Sequence, residues 1–263
     1  MKRKLIIFSL VLFLVADFTF AFLQFYNMPL DGDMTGGIIP ASDVKSVLNS
    51  PLGFDVFIKH KNYPNPNRYF SHASFKLYFS TVPFFIQRFT DPITSLYLSC
   101  AIVKLFLLMG LIFVFSCFIN RFNGIFNLYF LKIMVFITPL FQLNYYKMDI
   151  AIIDKSTLYC FFYAIPFLFF LLYLMPFVKS LFLQNKESIP FFIKIFWIPF
   201  ALAISLSSPL NPGISLVFSL IIFGVIFFKN FKSNLDTNFF HKLYFSFKSI
   251  PNYYWFYLVP LCG

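Results

Sequence analysis

Two pairs of aspartates follow apolar stretches of the sequence, and carboxylates in such pairs can do acid–base or metal chemistry. Asp31 and Asp33 occur in LDGD, and Asp149 and Asp154 occur in YYKMDIAIIDK. A positioned carboxylate can accept a proton from a hydroxyl group. Clustered carboxylates can instead hold Mg²⁺ or Mn²⁺, which prefer oxygen ligands. The structural alternative is that Asp31 and Asp33 belong to a solvated loop, because Asp-Gly is a favourable turn sequence.

Three basic residues are candidates for binding an anionic substrate group. Arg68 lies in the polar segment KNYPNPNRYFSH, and Lys147 and Lys155 flank the second aspartate pair. Guanidinium and ammonium groups bind phosphates and carboxylates. A solvated connection between two helices explains Arg68 equally well.

The composition places these residues in a membrane protein. Apolar residues make up 59% of the 263 residues, phenylalanine occurs 44 times and charged residues fall to 12%, about half the usual share of a soluble domain. The formal charge is +11, but the basic residues are dispersed and form no arginine-rich stripe, which argues against nucleic acid as a partner. We expect an all-α, polytopic bundle of transmembrane helices in contact with a lipid bilayer.

Six segments are apolar over roughly the 20 residues that a helix needs to cross a bilayer. They are residues 5–25, 93–119, 124–143, 157–178, 191–208 and 214–228. Residues 252–263 begin a seventh apolar run that stops with the sequence. We therefore expect an incomplete seventh helix and a chain that is either a fragment or a truncated reading frame. Residues 1–263 are expected to form a single membrane domain.

The distribution of basic residues predicts the orientation. Lys2, Arg3 and Lys4 precede the first apolar run, so the positive-inside rule places the N-terminus in the cytoplasm. We expect the protein in the inner or plasma membrane of the cell. Residues 26–92 then form a long extracytoplasmic loop. The alternative is that the first run is a signal peptide cleaved after Ala21.

Two helices are predicted in this loop, at about residues 42–49 and 71–90. In the second helix, apolar residues recur at spacings of three and four, a pattern typical of a helix lying on the membrane surface. Pro83 is expected to kink this helix. A re-entrant or simply buried helix is the alternative.

Three charged residues lie inside predicted spans, where an unpaired charge is costly. They are Asp17, Lys104 and Lys132. If Asp17 pairs with either lysine, the pair is a structural lock between helices or part of a proton or ion path. The second possibility would make the protein a transporter.

The order of these features resembles that of the GT-C membrane glycosyltransferases. The likeness covers mainly residues 1–160: a first helix starting inside, a DxD pair directly after it, and a long first outer loop with surface helices. It implies transfer of a sugar from a polyprenyl-phosphate-linked donor to an acceptor on the extracytoplasmic side. Asp31 and Asp33 match the family's acidic motif, as a catalytic base or a metal ligand.

The resemblance also implies a second acidic motif, which Asp149 and Asp154 match by position. If the enzyme depends on Mg²⁺ or Mn²⁺, Asp33, Asp149 and Asp154 are the implied ligands. The chain departs from the family in its length, because family members carry donor and acceptor contacts in later loops. A transporter and a non-catalytic membrane protein remain the alternatives.

Overall fold

The computed structural model of this chain is built from helices, with no strand in the part of the chain that it describes. That part comprises residues 2–141, 153, 155–183, 191–233, 239–250 and 255. The α-helices are α1 (Lys2–Tyr26), α2 (Met34–Ile38), α3 (Ser42–Asn49), α4 (Phe54–Ile58), α5 (Tyr69–Phe79), α6 (Val82–Ile86), α7 (Pro92–Ile119), α8 (Leu128–Ile137), α9 (Thr157–Tyr159), α10 (Ile165–Leu183), α11 (Phe191–Ser205), α12 (Leu210–Ser233) and α13 (Phe239–Lys248). Short 3₁₀ helices occupy Pro66–Arg68 and Thr138–Phe141, and a π-helix at Cys160–Ala164 joins α9 to α10. The predicted all-helical class is confirmed.

Four of the described helical segments are long and apolar enough to cross a membrane. They are Lys2–Tyr26, Pro92–Ile119, Thr157–Lys179 and Leu210–Ser233. Two further apolar helices, Leu128–Phe141 and Phe196–Ser205, are shorter than the roughly 20 residues that a full crossing needs. The chain is therefore a helical protein suited to a membrane. Each predicted span overlaps one of these six helices, and the count of six crossings stays a prediction.

Polar side chains mark the points at which three helices begin. The carboxylate of Asp91 accepts hydrogen bonds, both 3.0 Å long, from the backbone N–H groups two and three residues later, and Pro92 is the first residue of α7. Asn127 and Ser156 cap α8 and α9 through the N–H three residues later, at 2.8 Å and 3.2 Å. These caps satisfy N–H groups that have no partner within the helix.

Two apolar clusters hold the bundle together. In the first, α1 and α8 pack against α7, where Leu111 and Ile112 have no exposed surface while Phe106 of the same helix is 68% exposed. The second cluster joins α10, α11 and α12 around the buried side chains of Tyr173 and Phe177. The exposed large side chains of α7 are apolar, so they suit contact with lipid rather than water.

Residues 27–91, which we call the cap, pack on one end of this bundle through α5. The Ser71 hydroxyl lies 3.0 Å from the carbonyl oxygen of Phe161 and 2.5 Å from that of Ser207. The backbone N–H of Phe70 donates to the carbonyl of Leu206 at 3.2 Å. These bonds tie the start of α5 to the π-helix and to the turn after α11. We call this end of the bundle the loop end.

The cap contains more helices than the sequence indicates. α3 coincides with the first predicted helix, but residues 71–90 do not form one kinked helix. α5 ends at Phe79 and α6 begins at Val82, with Pro83 in its first turn, where the missing N–H of proline costs no hydrogen bond. The apolar stripe is divided accordingly, since Phe79 is 2% exposed and Phe89 is 77% exposed.

Candidate functional site at the loop end

The carboxylate of Asp31 lies where the cap meets the bundle, and both of its oxygens accept hydrogen bonds. Oδ1 accepts the backbone N–H of Asp33 at 2.9 Å, and Oδ2 accepts the hydroxyl of Ser156. Ser156 Oγ accepts the N–H of Tyr159, so the same hydroxyl caps α9. The segment after α1 is thereby joined to the start of the helical segment Thr157–Lys179. Asp31 is half-buried and held in one orientation.

Asp33 has a different environment from Asp31. It is exposed and stands at the N-cap position of α2, but its side chain makes no capping bond because its backbone is already helical, with φ −72° and ψ −16°. Its carboxylate makes no hydrogen bond or ion pair with any other described residue. One aspartate of the pair is thus fixed and the other is open to solvent.

A buried lysine lies close to the same junction. Lys104 on α7 is 1% exposed, and its ammonium donates to the backbone carbonyl of Lys155. Nζ also lies 3.5 Å from the sulfur of Met28, three residues before Asp31. The lysine that the sequence places inside a span therefore directs its charge toward the loop end. Its position brings a positive charge to the segment that carries the aspartate pair.

The other two charged residues that the sequence places inside predicted spans lie elsewhere on the bundle. Asp17 is half-buried on α1, nine residues or about 14 Å of helix before Tyr26 at the loop end. Lys132 on α8 is exposed. The pairing of Asp17 with either lysine stays a prediction.

Part of the predicted second acidic motif falls outside the residues that the structure describes. This applies to Lys147, Asp149 and Asp154, whereas Lys155 is described and exposed. In the described part of the chain, no three histidine, cysteine or acidic side chains come together as a metal site. Of the three implied metal ligands, only Asp33 lies in the described part of the chain. A site for Mg²⁺ or Mn²⁺ therefore stays a prediction.

Arg68 lines a cavity of about 190 Å³ between the cap and the bundle, which we call the Arg68 cavity. Its lining residues are Asp43, Val44, Val47, Pro64, Asn65, Arg68, His72, Leu158, Tyr159, Phe162 and Tyr163. The guanidinium carbon lies 5.4 Å from the ring centre of Phe162 and 5.8 Å from that of Tyr163. Arg68 Nη2 also lies 3.5 Å from the Tyr163 hydroxyl oxygen. Aromatic faces attract cations, so these rings hold the guanidinium in place.

His72 stands one helical turn after Arg68 and lines the same cavity. Burial, and secondly the positive charge of Arg68, lower the pKa of His72 to about 4, and Asp43 opposes this shift. Its ring packs edge-on against Phe162, with the ring centres 4.7 Å apart. The imidazole is therefore neutral at pH 7, where Arg68 and Asp43 carry the charges of the cavity lining.

The sequence analysis missed several of these residues, and only one has a clear local signal. Ser156 precedes an apolar run, which is a recognised sign of a helix N-cap. The grouping of Tyr159, Phe162 and Tyr163 depends on the π-helix, which inserts an extra residue into the turn and which no simple periodicity predicts. Asp43 was predicted only to lie in a helix of the cap.

Comparison with known proteins identifies no family for this chain. It matches no family model and gives no significant match to curated proteins or to solved structures. The arrangement itself consists of a fixed carboxylate, an open carboxylate and a buried ammonium at one end of an apolar bundle. In such an arrangement a carboxylate can accept a proton and the ammonium can stabilise an anion.

Proposed function

We propose that the protein is a membrane glycosyltransferase of the GT-C kind, which moves a sugar from a polyprenyl-phosphate donor to a hydroxyl acceptor. In this proposal the chain crosses an inner or plasma membrane six times. The N-terminus is cytoplasmic, so the loop end and the cap lie on the extracytoplasmic side. The apolar helices would keep the polyprenyl chain of the donor in the bilayer.

The observation that supports the proposal is the position of Asp31. Its carboxylate is fixed by Ser156 and by the N–H of Asp33, at the end of the bundle where a lipid-linked donor would expose its sugar. A base that is held in place commonly contributes about 10²–10⁴-fold to the rate of a reaction. Asp31 is the proposed catalytic base, and the exposed Asp33 is the proposed contact to the acceptor.

The proposed reaction is a single displacement at the anomeric carbon of the sugar. The acceptor hydroxyl oxygen attacks this carbon as the bond from the carbon to the phosphate oxygen breaks. The hydroxyl proton passes to Asp31, and the bonding electrons leave with the polyprenyl phosphate. Lys155 directly precedes Ser156 and is exposed, so its ammonium is a candidate to stabilise the departing phosphate. Arg68 is the second candidate to stabilise the phosphate. It lines the cavity that also includes Tyr159, three residues after Ser156.

The test is donor turnover by the purified full chain in lipid nanodiscs. A panel of radiolabelled polyprenyl-phosphate hexoses and pentoses is mixed with peptide, glycan and lipid acceptors, and release of the sugar from the lipid is measured. Asp31→Asn should lower the rate by about 10²–10⁴-fold. Asp55→Asn is the matched control, because Asp55 lies outside the site and pairs only with Lys59 and Lys61 among the described residues. Undiminished turnover by Asp31→Asn, or no turnover of any donor by the natural sequence, would contradict the proposal.

A further inference from the structure

The Arg68 cavity holds two opposite charges that do not neutralise each other directly. Arg68 at the start of α5 and Asp43 on α3 line the same space. The ion pairs within 4.0 Å in the described part of the chain join Asp55 to Lys59 and Lys61, and none joins Asp43 to Arg68. Both charges nevertheless affect the pKa of His72: Arg68 lowers this pKa and Asp43 raises it. A cavity with a separated positive and negative charge is complementary to a ligand that carries the same two charges in reverse order.

Two buried polar atoms at this cavity have no hydrogen-bond partner among the described residues. They are Nε of Arg68 and Nδ1 of His72. A buried polar group without a partner is costly, and most such groups in folded proteins are satisfied by protein, water or ligand. Arg68 Nε is one of the donors of the guanidinium fork that matches an oxyanion in geometry as well as charge. Because Arg68 lines the cavity, its guanidinium favours a phosphate or carboxylate oxygen there.

The aromatic wall of the cavity also favours a cation. Tyr159 and Tyr163 both line the cavity, and their rings lie 5.9 Å apart in an edge-to-face arrangement. An ammonium near aromatic faces and a carboxylate is attracted by both. Asp43 is exposed at the edge of this space, where it can accept hydrogen bonds from such a group.

The size of the cavity favours a small ligand. Pockets for drug-sized molecules are typically about 300–1,000 Å³, so a cavity of about 190 Å³ suits a smaller polar group such as a headgroup. We propose that the Arg68 cavity binds a small zwitterion, with its singly charged oxyanion on Arg68 and its ammonium between Asp43 and the Tyr159 ring. A phosphodiester of ethanolamine has this chemistry, whether it is a lipid headgroup or a free molecule. The proposal is independent of sugar transfer and stands if the protein has no transferase activity.

The first experiment measures binding of free headgroups by isothermal titration calorimetry, with the full chain in nanodiscs made of phosphatidylglycerol. The probes are glycerophosphoethanolamine, which carries both charges, glycerophosphoglycerol, which lacks the ammonium, and ethanolamine, which lacks the phosphate. We expect the zwitterion to bind at least tenfold more tightly than either single-charge probe, because charge-assisted hydrogen bonds are lost with each charge. Equal binding of all three probes, or no binding of the zwitterion at millimolar concentration, overturns the proposal.

Variants then assign the binding to this cavity. Arg68→Gln should weaken binding of glycerophosphoethanolamine by roughly tenfold or more, and Asp43→Asn should remove the preference over glycerophosphoglycerol. Arg88→Gln is the control for the arginine, because Arg88 is exposed, lies over the ring of Phe85 at 5.6 Å and does not line the cavity. Asp43 is exposed, so Asp43→Asn should fold even if Arg68→Gln does not. Unchanged affinity and preference in a folded Asp43→Asn variant overturns the proposal.

A second measurement distinguishes the two sources of the headgroup. Native mass spectrometry of the protein from nanodiscs that contain phosphatidylethanolamine shows whether this lipid stays bound, and Arg68→Gln shows whether it is bound in this cavity. Retention that depends on Arg68 supports the lipid as the natural source. Binding of the free headgroup without retention of the lipid supports a soluble zwitterion. If neither form binds, the proposal is wrong, and this outcome is independent of any turnover measured for Asp31.

Discussion

The packing of α2 within the cap makes a specific prediction about two adjacent glycines, Gly36 and Gly37. A Cβ atom at Gly37 would lie 2.7 Å from Cδ1 of Phe75, closer still to Cε1 of that ring, and 3.1 Å from Cδ1 of Leu158. A Cβ atom at Gly36 would have no atom within 4 Å. The two positions are neighbours in one short helix, so Gly37→Ala and Gly36→Ala form a matched pair that differs mainly in packing.

The size of the effect follows from how little Phe75 can move. Its side chain is 1% exposed, and its ring centre lies 4.7 Å from that of Phe79 and 5.2 Å from that of Phe161. Forcing an extra methyl group into such packing typically costs about 1–3 kcal/mol. In an open helical position the same change stabilises by about 0.4–1 kcal/mol, because alanine loses less backbone freedom than glycine on folding.

The assay is thermal unfolding of the two variants in the same nanodiscs, followed by circular dichroism. We expect Gly37→Ala to lower Tm by roughly 2–12 °C, from the usual relation between stability and Tm in chains of about this size. Gly36→Ala should leave Tm unchanged or raise it slightly. Because α2 is part of the cap, Gly37→Ala should also make the cap susceptible to proteolysis before the bundle unfolds. Equal stability of the two variants would refute the packing of α2 against Phe75.

Two further predictions concern the pH dependence of the cap and the packing of the bundle. Burial and the neighbouring Arg68 guanidinium hold the pKa of His72 at about 4, below its unfolded value of 6.5. The unfolded chain therefore binds the proton more readily, and the free energy of unfolding falls as the pH drops from 6.5 to 4. His72→Gln should reduce this loss in unfolding curves recorded at pH 7 and pH 5, and the exposed His60→Gln should not. In the bundle, a Cβ at Gly110 would lie 2.8 Å from Cδ2 of Leu168, whereas one at Gly224 would meet no atom within 4 Å. Gly110→Ala should therefore lower Tm in nanodiscs and Gly224→Ala should not; the reverse order would contradict the contact between α7 and α10.

The helical class and the apolar character of the chain could be predicted from composition alone. A bilayer offers no partners for backbone N–H and C=O groups, so long apolar segments form helices that satisfy these groups internally. The four long helices agree with this expectation. The helix predicted at residues 71–90 was divided in the structure, because the packing of Phe75 and Phe79 on the bundle ends before Pro83 starts a new turn.

The candidate site could be predicted only in part. The sequence singled out Asp31 and Asp33 by type and spacing, but it gave no indication that Asp31 would be fixed by a hydroxyl 125 residues later. In the same way, Arg68 meets the Tyr163 side chain 95 residues further along the chain. Contacts of this kind depend on how the helices pack, and a single sequence read for local periodicity does not contain that information.

The sequence by itself determined that this chain forms apolar helices and places a pair of aspartates directly after the first of them. Only the tertiary structure decided which faces of those helices meet one another. On α7, Leu111 is fully buried and Phe106 is mostly exposed, although both are apolar. Hydrophobicity distinguishes inside from outside when the surroundings are water, but a lipid-facing side chain and a packed side chain are equally apolar. Shape complementarity and a few hydrogen bonds, such as those of Ser71 and Ser156, therefore decide the packing that creates the site.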